Sequence, residues 1–286
     1  MKLIAISGGV DSMLLAYKYR NKDVVLAFVN YNVRNDTNID QQIVEEFSKK
    51  YNIKLEKLIL DGFYPKTNFE NWAREIRYDF FQKIYFKYNC TQVLIAHHKD
   101  DYLETCIMQK ERNINKYFFG IKQRTTFKKM KIYRPFLFKY WKNEIYQLAD
   151  KLNIKYNDDY TNMDNSFKRN HIRNEILSNF SNDKKQSILE NFYQINKDNQ
   201  KKIEQIKIEY KKWRLSNFSI KEFKTLENKE EIIKIFLNKR IEKLNLNKNI
   251  LKNIIQFIES SNNKNQFMLN NNNFLIKKNN KLLTKK

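Results

Sequence analysis

The chain has 286 residues, and its 55 Lys and Arg against 32 Asp and Glu give a formal net charge of +23. Its length suits one large domain or two smaller ones, and the basic excess predicts a polyanionic partner, either nucleic acid or a membrane surface. No apolar stretch reaches the roughly 18 residues that span a bilayer. Because the sequence opens directly on a predicted strand, no signal peptide is expected. Cys90 and Cys106 have neither zinc nor redox spacing. The sequence therefore argues against a membrane-spanning or disulfide-stabilised secreted protein, and a cytoplasmic protein is expected.

Short apolar runs alternate with helical patterns through the first part of the chain. Strands are predicted at residues 3–6, 24–29, 53–58 and 91–96, and helices at residues 13–18, 39–51, 69–88 and 100–111. This alternation predicts an α/β fold with a doubly wound parallel sheet. Ligands of such sheets bind beyond the carboxyl ends of the strands, so residues 7–12, 30–34 and 97–101 are expected to meet at one site.

The rest of the chain is predicted to be mainly helical. Residues 112–131 show weak periodicity and are predicted to form a loop across the mouth of the site, and a polar, turn-rich segment follows at residues 158–164. Helical patterns then continue to about residue 259, and short strands are predicted at residues 265–283, interrupted by Asn270 to Asn273, which would close a hairpin. We place a first domain at residues 1–212 and a small basic domain at residues 213–286, which is expected to contact nucleic acid.

Ser-Gly-Gly-Val-Asp-Ser at residues 7–12 directly follows the first predicted strand. The whole chain has four glycines, and Gly8 and Gly9 are two of them. Glycine permits positive φ and a close approach of a ligand to the backbone. Asp11 and Ser12 are suitable cap residues for the next helix, and amides at a helix N-terminus bind phosphate. A phosphate-binding loop without the Lys of a Walker A motif is predicted, the alternative being an ordinary strand-to-helix turn.

A second group of polar residues follows the fourth predicted strand. His97 lies at the end of that strand, and Asp101 and Glu104 are three residues apart on one face of the following helix. Their carboxylates suit Mg²⁺, which prefers oxygen ligands, or an amine substrate; helix capping is the alternative. A zinc site of His97 and His98 is disfavoured, because adjacent side chains point apart.

Two pairs of arginines are spaced to act together. Arg74 and Arg77 lie three residues apart on one predicted helix, and Arg169 and Arg173 lie four apart on another. An arginine pair can bind a phosphate or a carboxylate through parallel hydrogen bonds. For Arg74 and Arg77, a solvent-exposed basic helix face is the alternative.

The segment at residues 7–12 resembles the pyrophosphate-binding loop (PP-loop) of the N-type ATP pyrophosphatases, which cleave ATP between its α and β phosphates. Three blocks make the resemblance more specific. They occur in the order Ser7 to Ser12, Ala96-His97-His98 through Glu104-Thr105, and Arg134-Pro135 through Asn170 and Arg173. Together they resemble the tRNA(Ile)-lysidine synthetase family over residues 1 to about 180. The remainder is similar in length and helical character to a short form of that family.

The resemblance implies a parallel-sheet nucleotide domain with a helical C-terminal extension and a small α+β tail. The implied activity is ATP-dependent ligation of free L-lysine to carbon 2 of the wobble cytidine in the isoleucine tRNA with anticodon CAU. The reaction passes through an adenylated tRNA and yields AMP and pyrophosphate. The product, lysidine, pairs with A instead of G and changes charging from methionine to isoleucine. ATP and Mg²⁺ are the implied cofactors, and no membrane partner is expected. A homodimer is possible, and the sequence does not decide the oligomeric state.

Individual residues acquire expected roles in the same way. Those implied to bind the ATP phosphates are Ser7, Gly8, Gly9, Val10, Asp11 and Ser12. Those implied in catalysis are Asp11, His97, Asp101, Glu104 and Arg169, and the candidate Mg²⁺ ligands among them are Asp11 and Asp101. Those expected to bind the substrates are Arg74, Arg77, Thr105, Asp159, Asn162, Asn170 and Arg173.

Two other functions fit parts of the sequence. One is a tRNA thiolase of the same superfamily, but sulfur transfer usually needs cysteines at the site. Cys90 before a strand and Cys106 within a helix are both expected to be packed. The other is a non-catalytic, basic RNA-binding protein with a vestigial nucleotide fold. Pyrophosphate release distinguishes the enzymes from the binding protein.

Overall fold

The computed structural model of the chain describes residues 1–32, 37–60, 65, 67–112, 117–157, 168–241, 244, 246–260, 265–270 and 272–285. The chain divides into two compact units, Met1–Tyr193 and Gln194–Lys286. Each unit has a hydrophobic core of its own. Within the described ranges, no helix combines the length and the apolar character that crossing a membrane requires.

A six-stranded sheet forms the centre of the first unit. Its strands are β1 (Lys2–Ile6), β2 (Val24–Asn30), β3 (Lys54–Ile59), β4 (Val93–Leu94), β5 (Arg124–Phe127) and β6 (Met130–Tyr133). They lie in the order β3-β2-β1-β4-β6-β5. Neighbouring strands from β3 to β6 are parallel, and β5 pairs with β6 in antiparallel fashion at the edge. The predicted parallel sheet is therefore confirmed.

Helices cover both faces of this sheet. They are α1 (Val10–Tyr19), α2 (Thr37–Lys50), α3 (Phe69–Lys87), α4 (Lys99–Glu111), α5 (Lys142–Lys151) and α6 (Lys168–His171), followed by a π-helical segment (Ile172–Leu177). Successive strand side chains point to opposite faces. Leu3 of β1 packs in one core with Phe81 of α3, whereas Ile4 packs in the other with Leu14 of α1 and Ile145 of α5. Burial on both faces explains the continuous apolar runs of the strands and confirms the doubly wound fold.

A β-hairpin replaces part of the loop predicted at residues 112–131. Its second strand, β6, pairs with β4 and so extends the sheet. The loop prediction is wrong here because each strand has only four residues and the turn uses no glycine. Instead, Lys128 and Lys129 adopt left-handed backbone, with φ of 44° and 63°. Lys128 also forms ion pairs with Glu75 and Asp79 of α3.

The first helix begins earlier than the sequence predicts. α1 starts at Val10 with Gly9 as its cap residue, and no side chain caps it. Asp11 and Ser12 lie within the first turn instead of before it, so the prediction that they cap the helix is wrong. The turn between β1 and α1 has only three residues, Ser7, Gly8 and Gly9, which places the side chains of Asp11 and Ser12 at the N-terminal end of the helix.

The second unit combines helices with a small antiparallel sheet. Its helices are the later part of α7 (Asn182–Leu215), α8 (Ile220–Lys224), α9 (Lys229–Asn238) and α10 (Lys248–Glu259). Its sheet consists, in spatial order, of β7 (Gln266–Asn270), β8 (Asn273–Lys278) and β9 (Lys281–Lys285). Trp213 is fully buried against the rings of Phe223 and Phe236. The helical extension and the α+β tail are confirmed. The predicted division at residues 212–213 falls inside α7 and stays a prediction.

Candidate active site

The segment from Ser7 to Ser12 joins β1 to α1 in a tight turn. Gly8 has a φ of +88°, and a Cβ added there would lie 2.9 Å from the Cα of Asp40. The Ser12 hydroxyl accepts a hydrogen bond from the Ser7 amide (3.1 Å) and donates one to the Gly9 carbonyl (2.9 Å). These bonds hold the turn closed. The first amides of α1, which have no acceptor within the helix, therefore lie at the carboxyl end of β1, where they can bind an anion.

Replacing Gly8 by Ala is expected to destabilise the protein by about 2 kcal/mol or more, because a non-glycine residue is strained at this φ and its Cβ meets backbone. Gly9→Ala is the matched control, since its Cβ would have the Ser7 hydroxyl oxygen as its nearest neighbour, at 3.7 Å. Urea unfolding of both variants measures the difference. Equal stabilities would contradict the geometry of the turn.

Asp11, in the first turn of α1, is paired with Lys142. The Lys142 ammonium lies 2.9 and 2.8 Å from the two carboxylate oxygens, and the two side chains are 32% and 30% exposed. The backbone amide of Lys142, the first residue of α5, donates to Asp100 at 2.8 Å. Lys142 could not be identified from the sequence, because 131 residues separate it from Asp11 and a single Lys at a helix start is unremarkable.

His98 is buried among three carboxylates. Its Nε2 lies 3.8 Å from Asp11 and 3.4 Å from Asp101, and its Nδ1 lies 3.5 Å from Asp100. Burial disfavours the charge on the imidazole, but the carboxylates, Asp101 foremost, outweigh burial and raise the pKa of His98. Burial also raises the pKa of Asp100, but the adjacent His98 imidazole and a hydrogen bond from the Lys142 amide outweigh burial and bring that pKa to about 2. His98 thus links the acidic residues of α1 and α4.

Glu104, on α4, holds two arginines. Its side chain is 0% exposed, and it accepts hydrogen bonds of 2.6 Å from the Nε atoms of both Arg169 and Arg173. Arg169 belongs to α6 and Arg173 to the π-helical segment, a type of helix that is frequent at functional sites. The two arginines therefore lie together, as their spacing of four predicts. The anion that they bind in the structure is the Glu104 carboxylate of the protein itself.

Asp101 has the capping role that the sequence offered as an alternative, and it also pairs with an arginine. One carboxylate oxygen accepts from the His98 amide at 2.8 Å, which is a capping bond of α4, and the other accepts from Arg169 at 2.7 Å. Burial raises the pKa of Asp101, but the nearby positive charges, that of His98 foremost and that of Arg169, outweigh burial and hold that pKa well below its usual range. Asp101 is thus an anion fixed in position from two sides.

His97 follows β4 and contacts a residue that the sequence did not single out. Its Nδ1 accepts a hydrogen bond from Nε of Arg134 at 2.9 Å. Burial lowers the pKa of His97 to about 4, because the opposing effect of Asp101 is smaller. Arg134 had been noted only as part of an Arg-Pro pair.

A cavity of about 400 Å³ lies at the carboxyl ends of β1 and β4. Its wall includes most of the predicted site residues, namely Ser7, Asp11, Ser12, Arg74, Arg77, His97, Asp101, Arg169 and Arg173. Residues from four separate stretches of the chain are therefore brought to one space. Among the described residues, no group of three or more His, Cys, Asp or Glu side chains is arranged to hold a metal ion.

The other predicted site residues lie elsewhere or cannot be placed. Val10 is buried in the core, so only its backbone is available to a ligand. The Thr105 hydroxyl donates to the Asp101 carbonyl one turn back in α4, which is a bond within the helix. Three further predicted contacts, by Asp159, Asn162 and the side chain of Asn170, lie outside the described residues.

The sheet order and the phosphate-loop geometry define a PP-loop protein, and a family model described as the PP-loop domain matches residues 1–180. A solved structure, the U34-tRNA thiolase NcsA from Methanococcus maripaludis, aligns with a TM-score of 0.54 and 18% identity, over 68% of this chain and 71% of that one. At that identity the alignment shows the fold alone.

Similar proteins of known name show which PP-loop family the chain belongs to. A tRNA(Ile)-lysidine synthase from Mycoplasmopsis pulmonis is 41% identical over 94% of each chain, and one from Mesomycoplasma hyopneumoniae is 37% identical over 99% of this chain and 95% of its own. The chain therefore belongs to the tRNA(Ile)-lysidine synthase family, whose members are ligases. The resemblance inferred from the three sequence blocks is confirmed.

Proposed function

We propose that this chain ligates free L-lysine to carbon 2 of the wobble cytidine in the isoleucine tRNA with anticodon CAU, in two steps that share one site. The observation that carries the proposal is the convergence of the phosphate loop, His97 and the pair Arg169 and Arg173 on a single cavity. Together with the names of the curated relatives, this favours a ligase that activates its RNA substrate with ATP.

In the first step, the cytidine carbonyl oxygen O2 attacks the α-phosphate of ATP and pyrophosphate leaves. The triphosphate is placed against the amides of Gly9 and the first turn of α1, where the helix dipole favours negative charge. Arg74 and Arg77 in the cavity wall supply further positive charge. Donors held in position before the reaction stabilise the transition state without reorganising. The product is a cytidine whose O2 has become part of a good leaving group.

Mg²⁺ is proposed to bind through Asp11. The Asp11 carboxylate is partly exposed at the cavity, and its pairing with the Lys142 ammonium supports a cation at this position. Asp101 fits less well, because one oxygen is used by the His98 amide and the other by Arg169. We therefore confine the proposed metal contact to Asp11. When bound, the ion would offset the charge of the triphosphate.

In the second step, the neutral lysine amine attacks carbon 2, AMP leaves with the oxygen O2, and one proton of the amine is released to solvent. Attack requires the neutral amine, but the pKa of Asp101 is too low for this carboxylate to be an effective base. Its proposed role is to orient the amine electrostatically. Holding the amine and the activated carbon in one cavity supplies much of the rate, because the encounter becomes intramolecular. An anticodon base is single-stranded, so it can be turned out of the loop into such a cavity.

Product release tests the order of the steps. With ATP and tRNA but no lysine, we expect one burst of pyrophosphate per enzyme site, and addition of lysine should give continuous turnover with release of AMP. Release of pyrophosphate without tRNA would contradict adenylation of the RNA. No release under any condition would favour the non-catalytic RNA-binding protein.

The cysteines argue against the thiolase alternative. Cys90 and Cys106 are both buried, and burial raises the pKa of both thiols, that of Cys106 to about 12. A thiol of this kind is not available as a thiolate nucleophile.

The double variant Cys90→Ala, Cys106→Ala is expected to retain modification activity within about threefold, with some loss of stability from the lost core contacts. Turnover of the folded double variant is measured with tRNA, ATP and lysine. Complete loss of turnover in a variant that unfolds cooperatively would favour sulfur chemistry.

A further inference from the structure

We propose that Arg134 is a positioning residue that fixes the tautomer of His97, so that His97 takes part in the reaction as a neutral hydrogen-bond donor and not as a proton acceptor. This inference rests on the proposed function, since it assigns a task to His97 in the adenylation step. Arg134 was not among the site residues that the sequence indicated.

Arg134 is held rigidly at the end of β6. The residue is 5% exposed. Its Nη1 atom donates to the Lys122 carbonyl at 2.8 Å and to the Thr125 hydroxyl at 3.2 Å. Its backbone amide donates to the Gln123 carbonyl at 3.0 Å. Its Nε is then directed at Nδ1 of His97, at 2.9 Å. Three anchors on the preceding chain thus leave the guanidinium little freedom.

The chemistry of the two groups decides where the proton of His97 lies. A guanidinium in a protein is always protonated and has only donors. Nδ1 of His97 must therefore be the accepting, unprotonated nitrogen, and the proton of the neutral ring is on Nε2. Because His97 is in the cavity wall and Nδ1 is occupied by Arg134, Nε2–H is the ring group that can serve a substrate.

The surrounding charges agree with a neutral ring. Burial and the positive charges of Arg134, Arg169 and His98 disfavour the imidazolium, and Asp101 alone opposes them. To act as a base at Nε2, the ring would have to carry its own proton on Nδ1, where it would face the N–H of Arg134. A neutral ring that donates from Nε2 carries no disfavoured charge and places no proton against Arg134. We assign to Nε2–H a hydrogen bond to a phosphoryl oxygen of the reacting nucleotide, where negative charge increases during adenylation.

Two substitutions at His97 separate a donor from a base. In His97→Gln the side-chain amide can donate near the position of Nε2, whereas His97→Leu can neither donate nor accept. The rate of tRNA-dependent pyrophosphate release is expected to fall by no more than about tenfold in His97→Gln. In His97→Leu it is expected to fall by about 100- to 1,000-fold. If both variants, folded, lose activity equally, the donor role is wrong.

Nitrogen NMR of the imidazoles tests the tautomer itself. The chain has three histidines, and the His97 signals are those lost in His97→Gln. At neutral pH the spectrum should show an unprotonated Nδ1 and a protonated Nε2 for His97. A protonated Nδ1 in the wild-type protein would overturn the proposal, whatever the activities of the variants.

Arg134→Met tests whether the arginine sets the tautomer. We expect the His97 signals to move toward a mixture of tautomers and the pyrophosphate rate to fall at least about tenfold. Arg124→Met is the matched control, because Arg124 is exposed and stacks on Tyr133 at 4.0 Å; it should change neither. An unchanged tautomer in folded Arg134→Met would contradict the positioning role. If that variant does not fold, Arg134→Lys, which keeps the charge without Nε, serves in its place.

Discussion

Replacing Asp11 by Ala is expected to abolish tRNA adenylation while the affinity for tRNA changes by no more than a few-fold. The carboxylate lies at the N-terminal end of α1, beside the phosphate loop, and is the proposed metal contact. Its loss removes the group that would hold Mg²⁺ against the triphosphate. We expect the rate of pyrophosphate release to fall at least about 100-fold. Binding of tRNA depends instead on many phosphate contacts, which one side chain at the cavity does not provide.

Stability should change little in Asp11→Ala, which makes the result interpretable. Asp11 and Lys142 are each about a third exposed, and ion pairs of this exposure contribute about 0–1 kcal/mol. Asp23→Asn is the control, because Asp23 also forms an ion pair, with the N-terminal amine, on the exposed surface. Full adenylation activity in Asp11→Ala would refute the site as we describe it.

Glu104→Gln is expected to have the largest effect on stability and also to remove activity. The substitution neutralises the buried carboxylate that accepts from Arg169 and Arg173. Removing one partner of a buried ion pair leaves the charge of the other partner uncompensated, which lowers the free energy of unfolding by about 3–5 kcal/mol. We expect about 3 kcal/mol, the lower end, because the two arginine side chains are 40% and 30% exposed and can turn toward water. Activity should fall at least about 100-fold, since both arginines lose their positions in the cavity wall.

Glu46→Gln is the matched control for Glu104→Gln. Glu46 makes the same kind of ion pair, with Lys155, but on the exposed surface, so its midpoint of urea unfolding should be unchanged. Urea unfolding and pyrophosphate release are measured for both variants. A Glu104→Gln protein as stable as the wild type would show that the carboxylate is not the centre of the arginine cluster.

The first half of the fold could be predicted because both faces of the sheet are buried. Residues 3–6 of the first strand form a continuous apolar run, since Leu3 and Ile4 pack into different cores. The hairpin of β5 and β6 could not be predicted in the same way. Its strands are short and carry charged residues such as Arg124 and Lys131, and pairing with β4 supplies what local preference does not.

The site residues also differ in whether local sequence patterns identify them. Ser7 to Ser12 and the pair Asp101 and Glu104 have local spacings that single them out as site candidates, and the structure places Ser7, Asp11, Ser12 and Asp101 in the cavity wall. Lys142 and Arg134 do not, because each acts through one contact with a residue distant in the chain, 131 residues away for Asp11 and 37 for His97. Such contacts exist only once the sheet order has brought the strand ends together. Sequence patterns therefore indicate the groups that meet the ligand more readily than the groups that hold them.

The mass of the wobble nucleoside tests the central claim most directly. The isoleucine tRNA with anticodon CAU is incubated with the protein, ATP and lysine, digested to nucleosides and analysed by mass spectrometry. Our account predicts that the wobble cytidine gains the mass of one lysine less one water, and that omission of ATP or lysine leaves it unchanged. An unmodified cytidine in the complete mixture, or a nucleoside that has gained sulfur, would contradict it.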